Sequence, residues 1–192
     1  MKSNVGIIGR GNVGSALKRG LEKAGYPVKA VGNDARAVED TAKWAEIIIL
    51  AVPFVSIDKV LSEMGKWVDG KILVDATNVY TPEAQTAVGN KSGAEIIQTK
   101  ASEAKVVKAF NIHFAKNMDS GHIGQEQITL LVSGEDEGAR AKILEIGRDI
   151  GFDAIDAGPL ANSKLLEALG NLTIQLGYPL GLGTSVGFKL VH

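Results

Sequence analysis

The chain of 192 residues has no cysteine, which excludes disulfides and thiolate metal sites and suits a reducing, cytoplasmic setting. It has little net charge: 21 Lys and Arg against 22 Asp and Glu leave −1, and no stretch is strongly basic, so no nucleic-acid footprint is expected. It has no long hydrophobic run. The longest, IIILAVPFV (47–55), is far too short to span a bilayer, so no membrane partner is expected. The N-terminus MKSNVGIIG lacks an apolar signal region and a cleavage site, so no signal peptide is expected. Aromatics are scarce, at 5%. What the chain has in excess is glycine, 23 residues, which together with few aromatics suggests many tight strand-to-helix turns. The length fits one domain that buries its own core.

Short Val/Ile-rich runs alternate with amphipathic ones, the pattern of a doubly wound, mostly parallel α/β sheet with helices on both faces. Strands are expected over 4–9, 28–32, 46–52, 71–76, 105–110, 127–133 and 152–156, and helices over 12–24, 36–45, 54–66, 93–103, 135–150 and 161–177. Val13, Leu17 and Leu21 recur at helical spacing, as do Ala139, Ile143, Ile146 and Ile150. A single domain over 1–192 is expected, with 157–192 forming a C-terminal helix, a Gly/Pro-rich loop and a short final strand packed on it.

The first expected strand runs into GRGNVG: Gly9, Arg10, Gly11, Asn12, Val13, Gly14. The GxGxxG spacing carries little by itself. Between a buried strand and a helix it is the dinucleotide-binding arrangement, with Gly9 for the sharp turn, Gly11 for close backbone approach to a pyrophosphate and Gly14 for close helix packing. The free amides that open the helix then face the phosphates. The competing reading is a tight turn with no ligand.

Which dinucleotide depends on the end of the second strand. An NAD site places an acid there for the ribose 2′-OH, whereas an NADP site omits it and supplies a cation. The acid position falls at Gly32 or Asn33, so Arg10, Asn33 and Arg36 make a candidate 2′-phosphate pocket. A one-residue shift of the strand would instead place Asp34 on the ribose and make this an NAD site.

Later segments carry a resemblance. KILVDATNVYTPEA (71–84), KVVKAFNIHFAKNMDSG (105–121), DAGPLANSKLLEAL (156–169) and the tail GTSVGFKLVH resemble the NADPH-dependent F420 reductase family, over nearly the whole chain. That family includes coenzyme F420:NADP oxidoreductases and the reductase domain of the STEAP metalloreductases. The resemblance implies an NADP-dependent oxidoreductase passing hydride between nicotinamide and a planar acceptor, coenzyme F420 foremost. Two departures touch the adenosine side. The family carries a serine and an arginine after the second strand, where this chain has Asn33 and Asp34. The family also has a further helix and strand there, which ARAVEDTAKWA (35–45) replaces with a direct run into the next unit.

Ligands of such sheets bind at the C-terminal strand ends. Ala51, Val52, Pro53 and Phe54 follow one strand as cofactor-binding candidates, with Pro53 and Phe54 suited to wall the nicotinamide ribose; Asp75-Ala76-Thr77-Asn78 ends the next, and Phe110-Asn111-Ile112-His113 another. Asn78 and Asn111 offer amides for the carboxamide or ribose, or serve as turn residues bonding their own backbone. Asn111 and His113 are the catalytic candidates, His113 as a proton donor to the acceptor, although a lone histidine is more often a packing residue. The family places an apolar residue near His113, which would imply stacking instead. His192 is terminal and is given no role. Neither paired carboxylates nor a metal cluster is seen. Leu165, Leu166, Leu169, Leu172 and Leu176 read as the apolar stripe of the last helix, and YPLGLGTS (178–185) borders either the second substrate or a homodimer contact. Two other functions stay open: a flavin or ferric reductase domain, and a nicotinamide-binding module without turnover.

Overall fold

The computed structural model describes residues 1–79 and 91–191. His192 and the end of the 71–84 motif, residues 80–84, lie outside the described residues. The chain begins with β1 (Val5–Ile8), α1 (Asn12–Lys23), β2 (Val28–Val31), α2 (Ala35–Trp44), β3 (Ile47–Leu50), α3 (Ile57–Met64) and β4 (Ile72–Asp75). It continues with α4 (Gly93–Lys100), β5 (Lys105–Lys108), a hairpin of β6 (His122–Ile123) and β7 (Glu126–Gln127), β8 (Thr129–Gly134), α5 (Glu137–Ile150), β9 (Asp153–Asp156) and α6 (Ser163–Gly177).

A seven-stranded sheet has the order β2-β1-β3-β4-β5-β8-β9. Its neighbours pair in parallel except β5 and β8, which meet antiparallel through Val107 and Gly134. Alternation along the strands explains the two layers of helices. Val5, Ile7, Ile49, Val74 and Val107 face a core closed by Leu17 and Leu21 of α1 and Ile143, Ile146 and Ile150 of α5. Ile8, Ile48, Leu50, Leu73 and Val106 face the opposite core, closed by Val38 and Ala42 of α2, Val60 and Met64 of α3, and Ile97 of α4.

The chain leaves β1 toward β2 on one side and places β3 on the other, so the sheet reverses direction at β1 and opens a crevice there. β2 is the outermost strand on that side and only half-buried, so the sheet ends directly beyond the glycine turn.

Three expectations change. The helix expected over 54–66 is a 3₁₀ turn Phe54–Ser56, then α3, then a second 3₁₀ turn Gly65–Val68, because Gly65 takes φ +52° and ends the α-helical run. The final strand does not form. The tail instead touches the sheet at one point, where Phe188 O accepts from Thr129 N at 3.0 Å and Leu190 N donates to Thr129 Oγ1 at 2.9 Å. The leucine stripe of α6 is also misplaced, since Leu165 and Leu172 are exposed. Besides Leu166 of that stripe, the helix buries Ser163, Glu167, Gly170, Asn171, Thr173 and Gly177, a polar and small-residue face that bonds inward and comes close to the strand ends.

Candidate functional site

The glycine turn has a geometry only glycine permits. Gly9 takes φ +124°, and a Cβ there would lie 2.1 Å from Ala51 O. A Cβ on Gly14 would lie 1.9 Å from Gly9 O, so α1 rests directly on the turn. Around Gly11 nothing lies within 4 Å of a built Cβ: this glycine faces open space, as close approach by a ligand requires. Gly11 is the N-cap of α1 and offers no side-chain oxygen, so the amides of Asn12, Val13 and Gly14 open the helix uncapped. By contrast α2, α4 and α5 are capped by Asp34, Ser92 and Asp136. A bare helix start without an acidic first turn suits a pyrophosphate, so these residues fit a nicotinamide dinucleotide.

A cleft of about 320 Å³ lies over this turn. Gly11, Asn12 and Val13 form one side, and Ala51, Val52, Pro53 and Phe54 after β3 form the other. Ala76, Thr77 and Asn78, after β4, complete it. The structure thus brings together residues expected from three separate strand ends.

At the adenosine corner, Gly9 N donates to Val31 O at 2.8 Å, which ties the turn to the end of β2. The Arg10 side chain crosses that end, for a Cβ built on Gly32 lies 3.9 Å from Arg10 Cδ. Arg10, Asn33 and Arg36 are all exposed here. Asp34 lies beyond β2 and caps α2, its Oδ1 accepting from Ala37 N at 2.8 Å. The strand register is therefore the one that leaves Gly32 and Asn33, not Asp34, at its end.

The catalytic candidates go elsewhere. His113 is buried in the core against Phe152, with ring centroids 5.0 Å apart, and does not line the cleft. Among the described residues neither ring nitrogen finds a hydrogen-bond partner of normal geometry. Burial pushes its pKa down to about 4, and the nearby Thr129 backbone offsets only part of this. It packs as a neutral core residue, and the proton-donor expectation is corrected on that ground. Asn111 is likewise only 5% exposed and outside the cleft lining. Its Nδ2 donates to Asn78 Oδ1 at 2.8 Å and to Leu166 O at 2.9 Å, while Asn78 Nδ2 donates to Asn111 O at 2.8 Å. The two asparagines clasp the ends of β4 and β5 together; Asn78 still borders the cleft, but Asn111 does not reach it. The clasp follows Phe110, which is buried with φ +68°, a strained conformation for a bulky residue costing about 1–3 kcal/mol.

Beneath Thr77 and Asn78 lies a cluster that the sequence reading missed. Lys108, 0% exposed, donates from Nζ to Asp75 Oδ2 at 2.8 Å, to Glu167 Oε1 at 2.8 Å and to Thr77 O at 2.6 Å. Asp75 Oδ1 accepts from Thr77 N at 2.9 Å, so the cluster holds the Thr77 backbone at both polar groups. Glu167 Oε1 also accepts from Gly93 N at 2.9 Å, while Oε2 is buried without a partner among the described residues. Burial raises the Glu167 pKa, and the Lys108 ammonium pulls it the other way without cancelling the shift. The signal was a lysine and an aspartate in strands otherwise buried and apolar, each of which needs a partner.

Residues 29–79 match the family model described as NADP oxidoreductase coenzyme F420-dependent. The F420-dependent NADP reductase of Methanocaldococcus jannaschii is 30% identical over 184 residues, covering 85% of this chain and 80% of the relative. The chain belongs to the F420-dependent NADP oxidoreductase family. It is an NADP-dependent oxidoreductase of that family. The rat metalloreductase STEAP3 is 28% identical over 179 residues; 86% of this chain is covered but 36% of that relative, so the chain spans about a third of it. Among solved structures, a candidate F420-dependent NADP reductase from Arthrobacter sp. FB24 superposes with a TM-score of 0.86 at 26% identity, covering 99% of this chain and all of the other. Among the described residues no helix is long and apolar enough to cross a membrane, and no group of three or more His, Cys, Asp or Glu is arranged to hold a metal.

Proposed function

We propose that this oxidoreductase moves hydride between NADP(H) and coenzyme F420, with the Gly9–Gly14 turn holding the pyrophosphate and Arg10 the 2′-phosphate. The carrying observation is the open space at Gly11, at a switch point whose other wall is Ala51–Phe54. The amides of Asn12, Val13 and Gly14 supply donors, and Arg10 across Gly32 supplies charge where NADPH differs from NADH. Pro53 and Phe54 border the nicotinamide ribose, and Thr77 and Asn78 the far end of the ring. When bound, the cofactor supplies the chemistry: NADPH is oxidised to NADP⁺ by loss of a hydride, and the acceptor ring is reduced by that hydride plus a proton from solvent. The protein's contribution is placement and exclusion of water, which requires no titrating side chain in the cleft.

The test is a mixture of the protein, NADPH and oxidised F420, followed by the visible absorbance of the deazaflavin. Loss of that absorbance faster than without protein is expected, and no acceleration rejects F420 as acceptor. A second reading, reduction of a flavin that passes electrons to ferric iron, is favoured by the likeness to STEAP3. Replacing F420 by flavin and a ferric chelate in the same assay distinguishes the two.

A further inference from the structure

The glycine turn closes one side of the cofactor cleft. The other sides are short segments that leave the sheet, Ala51–Phe54 after β3 and Ala76–Asn78 after β4. Both lead back to one buried group, the Lys108 ammonium.

On the β4 side the link is direct. Lys108 Nζ donates to Thr77 O at 2.6 Å, and Asp75, its ion partner at 2.8 Å, accepts from Thr77 N at 2.9 Å. Both polar backbone groups of Thr77 are thus fixed from beneath the cleft. On the β3 side the link runs through α4. Glu167, the second carboxylate on Lys108 at 2.8 Å, accepts from Gly93 N at 2.9 Å. A Cβ on Gly93 would lie 2.9 Å from Phe54 Cε2 and 3.2 Å from Glu167 Oε1, so the Phe54 ring rests on the glycine that Glu167 holds. Beside it, the hydroxyls of Ser92, which caps α4, and Ser163, which opens α6, bond at 2.5 Å and fasten the two helices together. Each of the three ammonium protons of Lys108 therefore has its own acceptor, on Asp75, Thr77 and Glu167. Stability alone does not call for this arrangement, since apolar side chains of similar volume often serve a fold as well as a buried ion cluster. What the charges add is direction: hydrogen bonds hold their partners at set angles, whereas apolar contacts allow them to slide.

Resting on the hydride-transfer reading above, we infer that Lys108 is a positioning residue for the reaction: through Asp75 and Glu167 it sets the Thr77–Asn78 and Phe54 walls against the nicotinamide end of the cofactor. It touches no reacting atom. The phosphate contacts belong to the Gly9–Gly14 turn and Arg10, on the other side of the cleft, so the cluster bears on the hydride-transfer step and not on cofactor affinity. A misplacement of about 1 Å at a reacting centre is enough to slow a reaction by about a hundredfold.

The test uses the Asp75→Asn/Lys108→Met/Glu167→Met variant, which removes the charges together and releases Thr77 O and Gly93 N. Its kcat with NADPH and F420 is expected to fall by about tenfold to a hundredfold. Its Kd for NADPH is expected to stay within about threefold of the wild type, the pattern of a lost transition-state geometry rather than of lost binding. The fluorescence anisotropy decay of bound NADPH reads the same change without turnover, as faster local motion of the reduced ring. A second pair of variants keeps the test open if the triple one does not fold. Glu167→Met leaves Lys108 and Asp75 as a neutral pair and should lower kcat in the same way by about threefold or more, while Glu167→Gln, which keeps an oxygen for Lys108 and Gly93, should recover most of that loss. Wild-type kcat and ring motion in the triple variant, an NADPH affinity that falls in step with kcat, or equal kcat in the two Glu167 variants overturns the inference and leaves hydride transfer intact. A wild-type protein that binds NADPH and reduces neither F420 nor flavin removes the hydride-transfer reading, and the comparison of ring motion still decides whether the cluster orders the nicotinamide end.

Discussion

Two neighbouring stretches at the C-terminal edge of the sheet are built in opposite ways. At the ends of β1 and β2 the site is backbone: Gly9, Gly11 and Gly14 clear space, and bare amides face it. At the ends of β4 and β5 it is side chain: Lys108, Asp75 and Glu167 are buried, and Asn78 and Asn111 clasp one another. The first is open and waits for a ligand's charge. The second has its own charges largely neutralised and holds the floor of the cleft still. A polar group left for a ligand must stay hydrated until the ligand arrives, whereas one buried permanently must carry its partners with it.

The largest effect is expected where that contrast is sharpest. Lys108→Met leaves two buried carboxylates without a cation and should lower unfolding stability by about 3–5 kcal/mol in urea titrations. Asp75→Asn/Lys108→Met/Glu167→Met removes the charges together and should recover most of the loss, because an apolar replacement of a buried ion cluster is often neutral or stabilising. If the triple variant is as unstable as the single one, the cluster's packing rather than its charge holds the floor.

His113 tests the core behind β5. Its folded pKa of about 4 lies below the unfolded value near 6.5, so its contribution to stability is full above pH 6.5 and is lost as pH falls toward 4. The loss amounts to roughly 3 kcal/mol at its limit. Compared with the wild type, His113→Leu should therefore flatten the fall in urea midpoint between pH 6.5 and 4; identical slopes would show that this imidazole is hydrated.

On the backbone side the effects are on binding. Arg10→Ala should weaken NADPH by about 1–3 kcal/mol and leave NADH nearly untouched, measured by titrating nicotinamide fluorescence. Equal losses for both cofactors would remove the arginine from the 2′-phosphate. Gly11→Ala is the mildest change to the fold, since φ is −72° and nothing lies within 4 Å of the new Cβ. Its melting temperature should hold, while NADPH affinity falls by about tenfold, 1.4 kcal/mol, because the methyl occupies the phosphate approach. Unchanged affinity would move the pyrophosphate off this turn.

Much of the frame was legible. The strands expected at 28–32 and 105–110 form at Val28–Val31 and Lys105–Lys108, and the abrupt passage from Asp34 to β3 appears as a sheet that ends at β2. The cleft residues Gly11, Val52, Pro53 and Asn78 were readable because each lies at the end of an apolar run. His113 and Asn111 misled for the same reason: they also follow a strand, but the positive φ of Phe110 redirects the chain after β5 into the core. The inward face of α6 misled because leucines alone do not mark a buried face when Ser163 and Glu167 bond inward and Gly170 allows close contact.

The sequence by itself determined the alternation of strand and helix and the glycine turn, since these depend on side-chain period and on φ/ψ freedom within a few residues. Only the tertiary structure decided that Lys108 meets Asp75 across 33 residues and Glu167 across 59, that Asn111 is spent on Asn78, and that His113 packs on Phe152. A buried polar group is defined by its partners, and those are brought to it by the packing of the whole sheet rather than by its neighbours along the chain.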